Sequence, residues 1–112
     1  MSIRLDKSWQ PLADARARLR GNLGVFQLAN AAGEVIYIGF AGGRSRYGLK
    51  GELGEIAARV AEATQARWEV TSAYQTRFRE LLAVHLADNG ELPKYNIELN
   101  HRPASLGRLS PA

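Results

Sequence analysis

The sequence predicts one α+β domain in which a small three-stranded antiparallel sheet is flanked by helices. Two β-prone runs are separated by a short turn that contains asparagine and glycine, which is typical of a hairpin. Segments with apolar residues at helical spacing then alternate with a third β-prone run. With 112 residues, 46% of them hydrophobic, the chain is long enough to bury one core and too short for two domains.

The first part of the chain is predicted to be an arm with a short helix, followed by the hairpin. Residues 1–20 contain the arm and the helix, which Gly21 would end. Residues 24–29 and 34–39 are the two strands of the hairpin, and the turn lies between them at residues 30–33. Because the second strand is almost continuously apolar, we predict that it is central in the sheet and covered on both faces.

The rest of the domain is predicted to alternate helix and strand. Leucine, isoleucine and valine recur at helical spacing over residues 49–64, and residues 67–71 alternate in polarity as a strand does. A second long helix over residues 74–88 should end at Asn89-Gly90, where glycine tolerates left-handed geometry. Residues 93–96 are predicted to be a turn.

Composition and charge limit the function classes. The formal net charge is +4 and the pI is about 9.9, with arginine far more frequent than lysine. This balance is a weak indication of nucleic-acid binding, and ordinary surface solvation explains it equally well. The chain has no cysteine, which excludes disulfides, thiolate metal sites and a thiol nucleophile. It contains no phosphate-binding loop motif of the NTPases.

The sequence also suggests a compartment and a domain boundary. The first ten residues carry charges without an apolar run, and no stretch is apolar over the length of a bilayer, so we expect a cytoplasmic protein without membrane contact. The domain proper is predicted to span residues 21–100. Residues 101–112, rich in proline, serine and arginine, are predicted to be a poorly ordered tail.

The hairpin carries two triplets at its ends, Gly24-Val25-Phe26 and Tyr37-Ile38-Gly39. Downstream come an arginine, a helix, a strand, a helix bearing glutamate, and the turn Pro93-Lys94-Tyr95-Asn96. This set resembles the GIY-YIG nuclease superfamily, and its nearest likeness is to the nuclease domain of the excision-repair incision subunit. The resemblance covers roughly residues 22–98 and implies hydrolysis of DNA phosphodiester bonds with one divalent cation, Mg²⁺ or Mn²⁺.

The resemblance assigns roles to five residues. Tyr37 is similar to the family's base-like tyrosine, although a free phenol has a pKa of about 10 and needs positive charge nearby to act as a base. Arg44 and Arg46 are candidates for the arginine that balances charge on the phosphate, and flanking glycines favour Arg44. Glu80 resembles the carboxylate that holds the metal. Asn96 matches the asparagine of the closing turn, which buttresses the site.

Other interpretations of these residues remain open at this point. Tyr37 is also explained as an aromatic strand residue of the core, and the loop arginines as solvated charges. Glu80 could be a surface carboxylate paired with Arg77 or Arg79. Its register is a further difficulty, because counting back from Asn96 places the family's glutamate at Val84.

Two residues depart from the family pattern. Phe26 lacks the hydroxyl of the tyrosine in the first triplet, and Phe40 stands where the repair enzymes often have lysine. By analogy with the loss of an electrostatic or acid–base group, each departure could lower the rate by about one to three orders of magnitude. The alternative function is therefore a catalytically degenerate module that binds nucleic acid, with Tyr47, Trp68 and Tyr74 as stacking groups.

Several partners are compatible with the sequence. DNA or another nucleic acid would contact the predicted binding cations, which are Arg44, Arg46, Lys50, Arg77 and Lys94. A domain of this size grips little DNA, so we also expect a homodimer or a partner protein. A third hypothesis is a protein-interaction subunit in which the positive charge has no role in nucleic-acid binding.

Overall fold

A four-stranded antiparallel sheet with helices packed on it forms the centre of the molecule. The computed structural model describes residues 4–100, without the side chain of Asn100, so the predicted tail at residues 101–112 lies outside the described residues. The elements in chain order are β1 (Gln10–Pro11), α1 (Leu12–Arg18), β2 (Gly24–Ala29), β3 (Val35–Ala41), α2 (Gly48–Ala57), β4 (Gln65–Val70), α3 (Tyr74–Asn89) and α4 (Lys94–Asn100). The predicted α+β class is confirmed.

The fourth strand, β1, was not expected from the sequence. It consists of Gln10, the last residue of the predicted arm, and Pro11, the first residue of the predicted short helix, which pair with Ala66 and Gln65 of β4. A proline is acceptable in this position because an edge strand does not need every backbone N–H for the ladder. Two residues are too few to show the alternation of polarity that identifies a strand, so the sequence pattern did not reveal it.

The predicted hairpin of β2 and β3 is confirmed. Its turn is held by Asn30, whose Oδ1 accepts hydrogen bonds from the backbone N–H of Ala32 at 3.1 Å and of Glu34 at 3.0 Å. Gly33 has a φ of 87°, a left-handed conformation that glycine adopts without strain. The asparagine and glycine that indicated a turn are therefore the residues that build it.

The predicted central position of β3 is wrong. The strand order is β1-β4-β2-β3, which places β3 at one edge, and β2, with all six residues buried, between β4 and β3. β3 is apolar for a different reason: the helices α2, α3 and α4 all pack against it. Coverage by helices gives an edge strand the same apolar composition that a central strand has.

The core lies on both faces of the sheet. Phe26 and Leu28 of β2 face a cluster that includes Leu49 and Leu53 of α2, whereas Val25 faces a cluster that contains Leu81 of α3. Successive strand residues point to opposite faces, which explains this division. The N-terminal segment contributes to both clusters through three buried residues, Leu5, Ala15 and Leu19.

Two helix predictions need correction, and one helix end is confirmed. α2 ends at Ala57 and not near residue 64, because the chain turns there while Val60 and Ala63 stay buried. The predicted turn at residues 93–96 is the beginning of α4, which follows Pro93. α3 ends where expected, with Gly90 in the left-handed conformation at a φ of 80°. No helix within residues 4–100 is long and apolar enough to cross a membrane.

Candidate active-site groove

A groove of about 690 Å³ lies beside the edge strand β3, between α2 and α3. We call it the groove throughout. Its walls come from β3, the glycine-containing loop that follows β3, the second turn of α2, the first turns of α3, and α4. The lining residues are Tyr37, Gly39, Phe40, Gly42, Gly43, Arg44, Ser45, Glu52, Tyr74, Gln75, Phe78 and Asn96.

Two aromatic rings pack over the glycine of the second triplet. Gly39 pairs across the hairpin with Phe26, which is fully buried. A methyl group at Gly39 would lie 2.6 Å from Cζ of Phe26 and 2.7 Å from Cε2 of Tyr37, closer than carbon atoms approach in proteins. Only glycine therefore lets both rings stay in place, with centroids 6.0 Å apart. The Phe26 ring thus supports Tyr37 by packing.

The environment of Tyr37 keeps its phenol protonated. Burial is the main cause, and the nearby negative charge of Glu52 adds to it; together they raise the pKa of Tyr37 to about 12, against a smaller opposing effect of Arg59. A phenol with this pKa is neutral at physiological pH. It would act as a base only after positive charge had entered the groove beside it.

Asn96 satisfies the outward backbone groups of one residue on the free edge of β3. Its side-chain Nδ2 donates a hydrogen bond to the carbonyl of Ile38 at 2.9 Å, and its Oδ1 accepts one from the Ile38 N–H at 2.8 Å. Asn96 is 2% exposed, so both backbone groups of Ile38 would lack water if the amide were removed. The side chain of Asn96 therefore holds the strand segment next to Tyr37 in position.

The loop after β3 is fixed by side-chain hydrogen bonds. The Ser45 hydroxyl accepts a bond from the Gly42 N–H at 3.0 Å and donates one to Oε2 of Glu52 at 2.7 Å. The Tyr74 hydroxyl accepts a bond from the Gly43 N–H at 3.1 Å. This arrangement places the exposed Arg44 on the groove wall.

Glu80 does not face the groove. Tyr74 and Phe78 of α3 line the groove, and Glu80, two residues beyond Phe78, is rotated by about 200° around the helix axis. Its Oε1 accepts a hydrogen bond from Nη1 of Arg77 at 3.3 Å, and Arg77 also binds Glu69. The structure therefore has Glu80 in a surface ion pair and does not bring it together with Tyr37.

The carboxylate that lines the groove belongs to Glu52 of α2. Glu52 was not predicted as a site residue, because its helix was interpreted as a packing element and Glu52 lies beside Leu53, outside the apolar stripe. One signal was present. Glu52 follows the glycine-containing loop within the first two turns of α2, so its side chain can reach back toward Arg44 and Ser45.

Among the five cations predicted to bind nucleic acid, Arg44 lines the groove and the others have different surroundings. Lys94 forms a salt bridge with Glu62 at 2.7 Å. Lys50 donates to a backbone carbonyl of α1 at 2.8 Å. Arg77 is held by the two glutamates already described, and Arg46 is exposed on the loop but does not line the groove.

Aromatic rings form one wall of the groove. The ring of Phe40 is stacked with Tyr74 at a centroid distance of 5.7 Å and meets the edge of Phe78 at 4.9 Å. Phe40 remains 38% exposed. Phe40 therefore presents an apolar surface to whatever enters the groove.

The comparison with protein families places this chain in one of them. Residues 3–88 match the model of a domain of unknown function, DUF7508. The chain belongs to this family. The match ends before α4, so Asn96 lies outside the matched segment. No curated protein matches the chain. Because the DUF7508 description names no activity, the resemblance to GIY-YIG nucleases stays a prediction.

The metal implied by that resemblance fits one carboxylate of this DUF7508 chain and not the other. Glu80 is unsuitable because Arg77 already binds it away from the groove. Glu52 faces the groove, with one of its oxygens bonded to Ser45. Within residues 4–100 no three histidine, aspartate or glutamate side chains form a metal-binding group. Mg²⁺ binds in many proteins through one or two carboxylates and several waters, so a site based on Glu52 fits this ion.

Proposed function

We propose that this chain is a metal-dependent endonuclease of the GIY-YIG type that hydrolyses DNA phosphodiester bonds in the groove. One observation carries the proposal. A phenol from β3, a guanidinium from the following loop and a carboxylate from α2 line the same groove, and these are Tyr37, Arg44 and Glu52. One-metal phosphodiester hydrolysis needs a proton acceptor, a group that balances charge on the phosphate, and a carboxylate for the cation.

Each of the three side chains has a chemical role in this proposal. Arg44 is exposed on the groove wall and binds the phosphate through its planar group of N–H donors. Glu52 would hold the divalent cation, which, when bound, supplies Lewis-acid stabilisation of the phosphate and lowers the pKa of water. Tyr37 accepts or relays a proton at its phenolic oxygen.

The electrostatics of the groove connect Glu52 to Tyr37. The negative charge of Glu52 helps to raise the pKa of Tyr37 to about 12. Neutralising that charge would move the pKa of Tyr37 downward and make the phenol a better proton acceptor. We therefore propose that activity requires the cation and increases with pH over the alkaline range.

Cleavage of plasmid DNA in the presence of Mg²⁺ or Mn²⁺ tests the proposal. We expect nicking or linearisation by the wild-type chain and loss of at least about two orders of magnitude in rate for Tyr37→Phe and for Glu52→Gln. Glu80→Gln is the matched control, because it removes the same charge from a carboxylate outside the groove. Loss of activity in Glu80→Gln with full activity in Glu52→Gln would contradict this assignment, as would absence of cleavage with either cation.

A second candidate function is a catalytically degenerate module that binds nucleic acid without cutting it. The observation that favours it is the combination of a protonated Tyr37 with an aromatic wall in which Phe40 is exposed. An exposed ring beside an arginine suits stacking on an unpaired base while the phosphate is held. Salt-sensitive binding of a single-stranded oligonucleotide, weakened by Phe40→Ala and by Arg44→Gln and unaccompanied by cleavage, would support this function over the nuclease.

Both candidates need more contact with nucleic acid than the groove provides. Arg44 is the predicted binding cation found in its wall, while Lys94 and Arg77 are paired with carboxylates. We therefore propose that the chain works with a partner protein or a second copy of itself. Light scattering of the isolated chain at increasing concentration measures its mass and so tests whether two copies associate.

A further inference from the structure

A second cleft lies at the opposite edge of the sheet from the groove, beside β4. It has a volume of about 480 Å³ and is bounded by residues 7–10 on one side and residues 67–70 of β4 on the other. Its lining includes three cations, Lys7, Arg18 and Arg67. The groove uses the β3 end of the strand order, whereas this cleft adjoins β1 and β4 at the opposite end.

The cleft exposes an open strand edge. β4 is antiparallel to β2, and Thr71, directly after β4, donates its N–H to the carbonyl of Leu23. In an antiparallel pair, every second residue directs its N–H and C=O toward the partner strand. Every second residue counted back from Thr71 therefore directs these two groups toward β2. Trp68 and Val70 lie between them and therefore direct an N–H and a C=O each away from β2. β1 pairs with this edge only at Ala66 and Gln65, and no other strand in residues 4–100 pairs with it.

The three cations at this edge have no salt bridge to a carboxylate of the described residues. No salt bridge joins Lys7, Arg18 or Arg67 to an acid in the described part of the chain. Arg67 is half-buried: its Nε donates to Gln27 at 2.7 Å, and its guanidinium lies 4.2 Å from the ring centroid of Trp9. Burial lowers the pKa of Arg67 even though Asp6 lies close enough to oppose this effect. A partly desolvated cation without a paired carboxylate favours an anionic ligand.

The acid that lines the cleft is bonded to a residue of α3. Glu69 accepts hydrogen bonds from Arg77 at 3.2 Å, so its carboxylate is engaged on the α3 side of the sheet. The edge also presents an apolar side chain, because Val70 at the end of β4 is 58% exposed. The edge therefore combines backbone donors and acceptors, cations without a salt bridge in residues 4–100, and one exposed β-branched side chain.

We propose that this cleft binds an extended, acidic segment of a partner polypeptide, which adds as a strand to the free edge of β4 at Trp68 and Val70. A peptide strand offers alternating N–H and C=O groups, which match those of the edge, and its acidic side chains match Lys7, Arg18 and Arg67. Nucleic acid would match only the two N–H groups of this edge. Its phosphate oxygens accept hydrogen bonds, as the two edge carbonyls do, so neither would supply a donor to the other. A second copy of this chain would bring two sets of the same cations together.

Binding of two labelled model peptides tests the proposal. Both alternate valine with a charged residue, glutamate in one and lysine in the other, and a single-stranded oligonucleotide serves as the nucleic-acid probe. We expect the glutamate peptide to bind and the lysine peptide not to bind, with the largest amide NMR shifts at Trp68 and Val70. Val70→Pro removes an outward N–H that β2 does not use, so affinity should fall by roughly tenfold or more.

Matched variants separate the backbone contribution from the charge contribution. Val70→Ala is the control for Val70→Pro and should bind within about twofold of wild type, because it keeps the N–H. The double variant Lys7→Gln with Arg18→Gln should weaken binding about tenfold, whereas Arg79→Gln, an exposed arginine of α3, should not. The charge variants also test the proposal if Val70→Pro does not fold. Failure of the glutamate peptide to bind, or preference of the same residues for the oligonucleotide, would overturn it.

Discussion

The two edges of the sheet differ in how their backbone groups are satisfied. At the β3 edge, the buried amide of Asn96 bonds both the N–H and the C=O of Ile38, so a side chain closes this edge at the residue next to Tyr37. At the β4 edge, β1 pairs with Ala66 and Gln65, and no strand within residues 4–100 pairs with the outer side of the residues that follow. The closed edge gives a fixed position to the groove, whereas the open edge has backbone groups available for a partner strand.

The largest expected effect comes from opening the closed edge. Asn96→Ala leaves the N–H and C=O of Ile38 buried without partners, which we expect to lower the free energy of unfolding by about 3 kcal/mol. Chemical denaturation measures this loss of unfolding free energy. Val70→Thr at the open edge is the comparison and should change stability by less than about 0.5 kcal/mol. Equal effects of the two substitutions would show that the two edges do not differ as described.

An intermediate effect is expected where two rings meet beside the closed edge. Gly39→Ala places a methyl group against Phe26 and Tyr37, and we expect a loss of about 2 kcal/mol through overpacking. Combining it with Phe26→Leu, which removes part of the opposing ring, should give a double variant less destabilised than the sum of the two single variants. Additive losses measured by thermal unfolding would mean that these two residues do not compete for the same space.

The smallest expected effect in this series is the pH dependence that Tyr37 adds to stability. Its folded pKa of about 12 lies above the value of about 10 for a free phenol. The contribution is therefore fully present below about pH 10 and is lost as the pH rises through 12. The pKa difference corresponds to at most about 2.7 kcal/mol, which solvent screening of the partly exposed side chain reduces to roughly 1–2 kcal/mol. Over this range of pH, wild type should therefore lose unfolding free energy relative to Tyr37→Phe.

A spectroscopic measurement sharpens the same prediction. Because the charge of Glu52 helps to raise the pKa of Tyr37, Glu52→Gln should move the phenol titration to lower pH in ultraviolet absorbance. Glu80→Gln should leave that titration unchanged, since Glu80 is bonded to Arg77 outside the groove. A larger shift in Glu80→Gln than in Glu52→Gln would contradict the geometry of the groove.

Local signals in the sequence predicted much of the fold. Asn30 and Gly33 indicated the hairpin turn, and Gly90 indicated the end of α3, because each of these residues suits its backbone conformation without help from distant contacts. The resemblance to GIY-YIG nucleases implied that Tyr37 and an arginine, Arg44 or Arg46, belong to one site. Tyr37 and Arg44 line the groove.

Other features depended on contacts between distant residues. β1 exists because two residues of the N-terminal arm lie against β4, and β3 is an edge strand although its composition is typical of a central one. The turn predicted at residues 93–96 is the start of a helix, α4, from which Asn96 reaches Ile38. Neither strand order nor helix docking is encoded in the pattern of one segment alone.

The two glutamates show where determination by sequence ends. The spacing of Tyr74, Phe78 and Leu81 determined that α3 is a helix with one apolar side. The docking of α3 on the sheet decided which residues beside that apolar side face β3. Each residue is rotated by about 100° from the one before it, so a small change in docking changes which residues these are. That docking directs Glu80 to Arg77 and leaves Glu52 of α2 as the groove's carboxylate.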